Sequence, residues 1–263
     1  MCTTCGCTQP EEAVTIRSHG AEPLHHHHHL AEQPGKTVIA LAQDILSKNN
    51  LLAARNRGYF DAKLILALNL VSSPGSGKTA ILERTITDLQ AELPMFVIEG
   101  DQQTMQDADR IAATGAQVVQ INTGKGCHLD ADMVNKAVRQ LQPAEQSIVM
   151  IENVGNLVCP AMFDLGESAR VVIMSVTEGD DKPIKYPDMF HSAQLCLINK
   201  IDLLPYVRFD VEKSKDYARQ VNPRLQFLEV SATTGAGMDK WYHWLRHAAG
   251  HARRGESVHH HHH

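Results

Sequence analysis

No apolar run in this 263-residue chain approaches the ~20 residues a membrane-spanning helix needs, and its first residues do not place a basic region before an apolar one. Membrane insertion and secretion are therefore set aside, and the expectation is a cytoplasmic protein. A basic stripe is missing too. The 25 Lys and Arg residues are scattered among 30 Asp and Glu, for a formal net charge of -5 with His neutral, so nucleic acid finds no surface to follow. The six cysteines sit at positions 2, 5, 7, 127, 159 and 196, a clustering that does not suit a disulfide framework and suits metal ligation better. There is no internal repeat, and the length admits one sizeable domain with an appendage rather than two domains.

What is present divides the chain into four parts. Residues 1–35 hold Cys, His, Gly, Pro and Glu with almost no apolar periodicity, which predicts a flexible metal-binding segment without a core of its own. Residues 36–62 carry Val38, Leu41, Ala42, Ile45, Leu46, Leu52 and Ala53 at helical spacing, which predicts an amphipathic helix packed on the main domain. Residues 63–250 alternate short apolar runs with helical patterns. The runs are Leu64 to Val71, Met95 to Glu99, Gln117 to Ile121, Ser147 to Ile151, Val171 to Val176, Gln194 to Ile198 and Phe227 to Val230. Several lack polar alternation, so the prediction is an α/β fold: a mostly parallel twisted sheet with helices on both faces and ligands at the strand carboxyl ends. Residues 251–263 end in His259 to His263, read as a purification tag; a second run, His25 to His29, lies inside the Cys-bearing segment.

Ser72-Ser73-Pro74-Gly75-Ser76-Gly77-Lys78-Thr79 follows the first apolar run and precedes a helical pattern. Backbone NH groups of such a turn point at phosphate oxygens, here around Gly75, Ser76 and Gly77. Lys78 adds positive charge and the Thr79 hydroxyl can bind Mg²⁺. The common pattern starts with Gly where this chain has Ser72. Further on, Asn199-Lys200-Ile201-Asp202 ends a strand pattern in the arrangement that GTPases use for guanine. Asp202 can accept from the ring NH and the exocyclic amine, which adenine cannot supply. Asn199 can address the other edge and the Lys200 stem can cover the base. Ser231-Ala232 ends the last strand, where the Ala232 NH can meet guanine O6.

Magnesium needs carboxylates near the γ-phosphate, and Asp101 and Glu152 each follow a strand pattern. Asp101 is the main candidate for Mg²⁺; alternatively Glu99 or Asp101 caps the next helix near Thr104. Glu152-Asn153-Val154-Gly155 resembles the Asp-x-x-Gly switch with Glu substituted, so the Gly155 NH can face the γ-phosphate. No arginine finger or water-positioning glutamine stands out, which predicts slow intrinsic hydrolysis.

Two sets of soft donors remain. Cys2, Cys5 and Cys7 can wrap one ion, as square-planar Ni²⁺ with a nitrogen ligand or as tetrahedral Zn²⁺. Cys127 and His128 follow the Gly124-Lys125-Gly126 turn, and Cys159 comes four residues after Gly155. Loops on one sheet edge can bring these three together, with the adjacent Cys127 and His128 side chains diverging and a dimer axis completing the set. Cys196 reads as a buried structural thiol, and His191, His243 and His247 as surface or packing residues.

Together these segments, with Glu99-Gly100-Asp101-Gln102-Gln103-Thr104, Tyr186-Pro187 and the Leu157-Val158-Cys159-Pro160 continuation of the switch, resemble the hydrogenase nickel-incorporation GTPases, the HypB family within the SIMIBI class of P-loop GTPases. The resemblance covers roughly residues 37–247 plus the N-terminal thiols, and Ser72 matches the family's own variant. It implies GTP and GDP as ligands with Mg²⁺, a tight nickel site at Cys2, Cys5 and Cys7, and a weaker nickel or zinc site at Cys127, His128 and Cys159 on a GTP-dependent homodimer interface. A His-rich nickel store is implied as well. The implied partners are another nickel-delivery maturation protein and the hydrogenase large subunit, with no nucleic acid and no membrane. The alternatives are a P-loop kinase with a structural zinc, which predicts ATP use, and a nickel storage protein without turnover.

Overall fold

The computed structural model describes residues 15–18, 24–25, 38–101, 106–124 and 126–256. Two short strands come first, β1 (Thr15–Ser18) and β2 (Leu24–His25), followed by helix α1 (Val38–Ala62). Strands and helices then alternate: β3 (Leu66–Ser72), α2 (Lys78–Leu89), β4 (Met95–Asp101), α3 (Gln106–Ala113), β5 (Gln117–Asn122), α4 (Ala131–Leu141) and β6 (Ile148–Glu152). After a 3-10 turn at Cys159–Met162 come β7 (Ala169–Ser175), α5 (Lys182–Lys185), α6 (Pro187–His191), β8 (Leu195–Asn199), α7 (Val211–Val221), β9 (Gln226–Glu229) and α8 (Met238–Arg253). A second 3-10 turn, Ile201–Tyr206, follows β8. The sheet order is β2-β1-β5-β4-β6-β3-β7-β8-β9, and β3 to β9 all run parallel.

Each apolar run becomes one of the seven parallel strands, and burial on both faces explains their lack of polar alternation. Leu66, Leu68 and Leu70 of β3 pack with Ile81, Leu82 and Ile86 of α2 and with Trp241 and Leu245 of α8. The intervening Ala67 faces the other side, where Ile98 and Ile151 meet Phe60 of α1 and Val134 and Val138 of α4. Past the middle of the sheet, Val71, Val172, Met174 and Ile198 pack with Met189 and Phe190 of α6. Trp241 is buried with its indole NH donating to Thr85 Oγ1 at 2.9 Å, which locks α8 against α2.

Two expectations are corrected at the N-terminal side. Nothing in the composition of residues 1–35 predicts strands, yet Thr15–Ser18 pairs antiparallel with β5 and Thr15 and Ile16 pair with β2. The β5 edge offers main-chain partners that a side-chain pattern does not announce. α1 does pack on the main domain, with Ala53 and Phe60 buried, but Ile45 of the expected apolar set is 47% exposed. Polar groups add to the anchoring of this helix. Asn49 donates to Asp164 O and accepts from Ala131 N, and Asn56 donates to Ala131 O and Leu165 O. Arg57 pairs with Asp164 at 2.8 Å. No helix among the described residues is long and apolar enough to cross a membrane.

Candidate functional site

Because the seven strands run parallel, their carboxyl ends share one edge, and the segments leaving β3, β5, β6, β8 and β9 meet there beside the end of β4. β3 ends at Ser72, the turn follows, and α2 opens at Lys78 with its first-turn NH groups directed at the turn. Gly77 holds φ 90, and a Cβ there would stand 2.5 Å from Asn199 Nδ2, so both backbone conformation and space require glycine. The position of the missing leading Gly is taken by Ser72, 1% exposed, whose hydroxyl donates to Ser73 O at 2.9 Å.

Carboxylates line the neighbouring strands. Parallel register sets Glu99 of β4 beside Glu152 of β6. Glu152 Oε1 accepts from Thr79 Oγ1 at 2.7 Å and from Lys78 Nζ at 3.1 Å. The carboxylate that the phosphate loop engages is thus Glu152, while Asp101 ends β4 and anchors Thr123 through its main-chain oxygen at 2.9 Å. Glu99, buried to 2%, was not read from the sequence as a site residue. Burial, with Glu152 and Asp101 adding repulsion, pushes its carboxyl up to about 8. Strand period two was the available signal, since it puts Glu99 and Asp101 on one face. Among the described residues, Glu99 Oε2, Glu152 Oε2 and Ser76 Oγ are buried without a protein partner. Hard oxygens of this kind around a lysine and a threonine hydroxyl fit Mg²⁺ and phosphate.

The guanine motif is cross-braced to that loop. Asn199 Nδ2 donates to Ser76 O at 2.9 Å and its Oδ1 accepts from Ala232 N at 3.2 Å. Here Asn199 braces the two loops, its amide bonded to main chain on both sides. Lys200, at φ 63, donates from Nζ to Gly75 O at 2.6 Å. Asp202 Oδ1 accepts from Ser231 Oγ at 2.5 Å, which orients the carboxylate, and Ser231 Oγ also accepts from Thr234 N. Lys182, absent from the sequence reading, bonds Ser73 Oγ and pairs with Glu178 at 3.3 Å.

A second constellation lies on the same edge. One ligand atom each from Cys127, His128 and Cys159 lies within 4.8 Å of the others. Cys127 and His128 were expected to diverge, but the chain bends at both residues and leaves Sγ 3.7 Å from Nδ1. The His128 ring stacks on Phe163 with centroids 3.9 Å apart, which fixes its plane. Burial lowers the His128 pKa, opposed by Asp130, so the neutral imidazole that can ligate is favoured. Asp130 itself caps α4 through Met133 N at 2.8 Å. Cys2, Cys5 and Cys7 lie outside the described residues, as do Thr104, Lys125 and the His259 to His263 run, and of His25 to His29 only the main chain of His25 is described.

The two constellations touch through Asn153, which sequence reasoning also missed. Its Oδ1 accepts from Leu129 N at 3.2 Å and Val154 N at 2.9 Å, and its Nδ2 donates to Asn69 Oδ1 at 3.2 Å. Asn156 Nδ2 reaches Cys127 O at 3.4 Å. Gly155 lies against the phosphate loop, where a Cβ would come within 3.3 Å of Pro74. No linear motif marks Asn153, because its partners come from β3 and from the loop before α4.

The braced glycine loop on a parallel sheet defines a nucleotide-binding domain of the P-loop type. The family model described as the CobW/HypB/UreG nucleotide-binding domain matches residues 66–229. The chain belongs to the HypB family of hydrogenase maturation factors. It is 53% identical over 241 residues to the hydrogenase maturation factor HypB of Escherichia coli K12, covering 90% of this chain and 81% of that one. It is 57% identical over 223 residues to HypB of Azotobacter vinelandii, covering 84% and 74%. The crystal structure of HypB from Archaeoglobus fulgidus matches with TM-score 0.72 at 40% identity, over 77% of this chain and 99% of that one. HypB from Helicobacter pylori, crystallised in complex with nickel, matches with TM-score 0.73 at 34% identity, over 82% and 100%.

Proposed function

We propose that this chain is a GTP-hydrolysing nickel metallochaperone of the cytoplasm that supports nickel insertion into [NiFe] hydrogenase, with nucleotide state coupled to metal binding and to homodimerisation. The observation that carries the reading is the end of β6: Glu152 holds Lys78 and Thr79 of the phosphate loop, and the next residue, Asn153, holds the backbone of Leu129 beside Cys127 and His128. A γ-phosphate arriving at Lys78 competes for the contact Glu152 now makes. Any resulting shift of the β6 end is delivered one peptide later to the donor loop.

Within this reading the α2 N-terminus, Gly75 to Gly77 and Lys78 bind and orient the phosphates, and Asp202 selects guanine. Mg²⁺, held by Thr79 with Asp101, Glu99 or Glu152, would offset charge on the transferred phosphoryl group. Asn199 and Lys200 keep the base loop in register with the phosphate loop. Cys127, His128 and Cys159 take nickel or zinc. Three donors leave a tetrahedral ion one ligand short, and Val158 and Met162, 52% and 54% exposed around Cys159, give a second copy of the chain an apolar surface to cover. Cys2, Cys5 and Cys7 form the second nickel site. Another nickel-delivery maturation protein and the hydrogenase large subunit are the proposed partners.

Titrating Ni²⁺ and Zn²⁺ into metal-free protein loaded with GDP or with a non-hydrolysable GTP analogue, while following stoichiometry and molecular mass together, tests this function. Metal affinity and mass should differ between the two nucleotides. Identical curves would overturn the coupling.

A further inference from the structure

The opposite end of the molecule holds a histidine pair that the nucleotide and donor loops do not use. His247 and His251 lie one turn apart on α8, whose C-terminal end reaches Gln146, just before β6 begins, through the Arg253 guanidinium at 3.2 Å. From the sequence His247 is expected to be a surface or packing residue and His251 to begin the tail at 251–263, yet α8 runs on to Arg253. In the fold their Nε2 atoms face each other at 3.3 Å, with ring centroids 4.4 Å apart and planes inclined by 69°. His251 is 6% exposed, and its Nδ1 meets Glu256 Oε2 at 2.7 Å. Arg254 shares that carboxylate at 2.9 Å and also approaches Nδ1 at 3.1 Å.

We propose that His247 and His251 form a zinc site on α8, with Glu256 as the carboxylate that orients His251 and solvent supplying the remaining ligands. Three features support it. Two imidazole nitrogens on one ion at about 2.0–2.1 Å are separated by about 3.3–3.4 Å when the coordination is tetrahedral and by about 2.9 Å when it is square-planar. The observed 3.3 Å falls in the tetrahedral range, at the long end for a hydrogen bond between the two rings. A carboxylate on the far nitrogen is the usual outer partner of a zinc-bound histidine; it fixes the tautomer so that Nε2 presents its lone pair. Finally, His247 is exposed whereas His251 is buried, so an ion has a path in and a firm seat. Ala248 and Ala249 between them point into the core and keep the turn rigid. Seating an ion requires the rings to fan apart slightly from their present centroid spacing. The site lies at the end of the sheet away from Cys127, His128 and Cys159, so its filling is separable from nucleotide state.

The test uses the full chain with His25 to His29 and His259 to His263 replaced by Asn, and with Cys2, Cys5, Cys7, Cys127 and Cys159 replaced by Ser, so that competing donors are silent. Zinc is titrated against a chromophoric chelator, and imidazole ¹⁵N signals are followed by NMR. One equivalent of zinc should bind and shift the Nε2 resonances of both histidines. His247→Ala, an exposed change that leaves the core alone, should remove that equivalent. Glu256→Gln should weaken it roughly 10-fold or more, and His243→Ala should leave it unchanged. Zinc binding that survives His247→Ala, no bound equivalent in the parent chain, or a preference for Ni²⁺ over Zn²⁺ would each overturn the site and leave the pair a packed histidine contact.

Discussion

The phosphate loop and the Cys127–His128–Cys159 cluster share one sheet edge but are built in opposite ways. The first sits between the end of β3 and the first turn of α2, with Ser72, Ser76, Thr79 and Glu152 buried, and is braced by hydrogen bonds to neighbouring loops. The second comes from two separate loops and presents exposed Val158 and Met162 beside its buried thiol. A site that must hold phosphates through a reaction profits from rigid supports, whereas one that must take up and release an ion profits from loops that can shift. Glu152 and Asn153 are where the rigid site is joined to the adjustable one.

The most damaging way to test that contrast is Lys78→Ala. It removes the phosphate-loop cation and leaves Glu152, which is 1% exposed, with only the Thr79 hydroxyl as partner. GTP hydrolysis should fall by about 10³-fold, and urea denaturation should show a loss of up to about 3 kcal/mol for a buried carboxylate without its cation. A variant as stable as the parent would show that the rigid side is less dependent on this pair than its geometry implies. Asp202→Ala comes next: the preference for GTP over ATP in competition binding should drop by about 10²-fold, because a charge-assisted pair is lost, while the fold remains intact. Retained guanine preference would move base selection away from Asp202.

Smaller, but aimed at the junction, is Asn153→Ala. If a nucleotide changes metal affinity by the 5- to 150-fold usual for coupled sites, this variant should bring the ratio below about 3-fold while hydrolysis stays within about 2-fold of the parent. Coupling that persists would mean the two regions communicate by another route. The smallest expected effect separates the cysteines. Burial pushes the Cys196 thiol far up, so iodoacetamide at pH 8 should label Cys127 and spare Cys196 in the native protein. Equal labelling would mean that β8 opens readily.

How far the sequence could be read follows the same division. The strands and the phosphate loop were legible because each is a contiguous pattern: an apolar run with both faces buried, or a glycine turn followed by Lys78 and Thr79. The donor cluster was legible only as three residue types near one edge, since Sγ and Nδ1 at 3.7 Å depend on a bend that no motif encodes. The site roles of Glu99, read only as a possible helix cap, of Asn153, read only as part of the switch segment, and of Lys182 were missed because they come from register and from loops far apart in the chain. Asn199, read as a base-contacting side chain, also ties two loops, which no motif announces. Ile45 was misread because helical spacing records amphipathicity without saying whether a neighbour lies on that face; Ala53 and Phe60, with Asn49, Asn56 and Arg57, carry the docking of α1.

The antiparallel pairing of β1 has a consequence for distances along the chain. Thr15 lies opposite Asn122, the last residue of the strand that leads toward Cys127. Cys7 is eight residues before Thr15, so whatever path those residues take, chain length alone keeps its Cα within about 29 Å of that point. A donor confined to such a volume has an effective concentration in the millimolar range. An ion held by the N-terminal thiols would therefore meet the Cys127 loop at a rate independent of how dilute the protein is, and handing it over would be a first-order event.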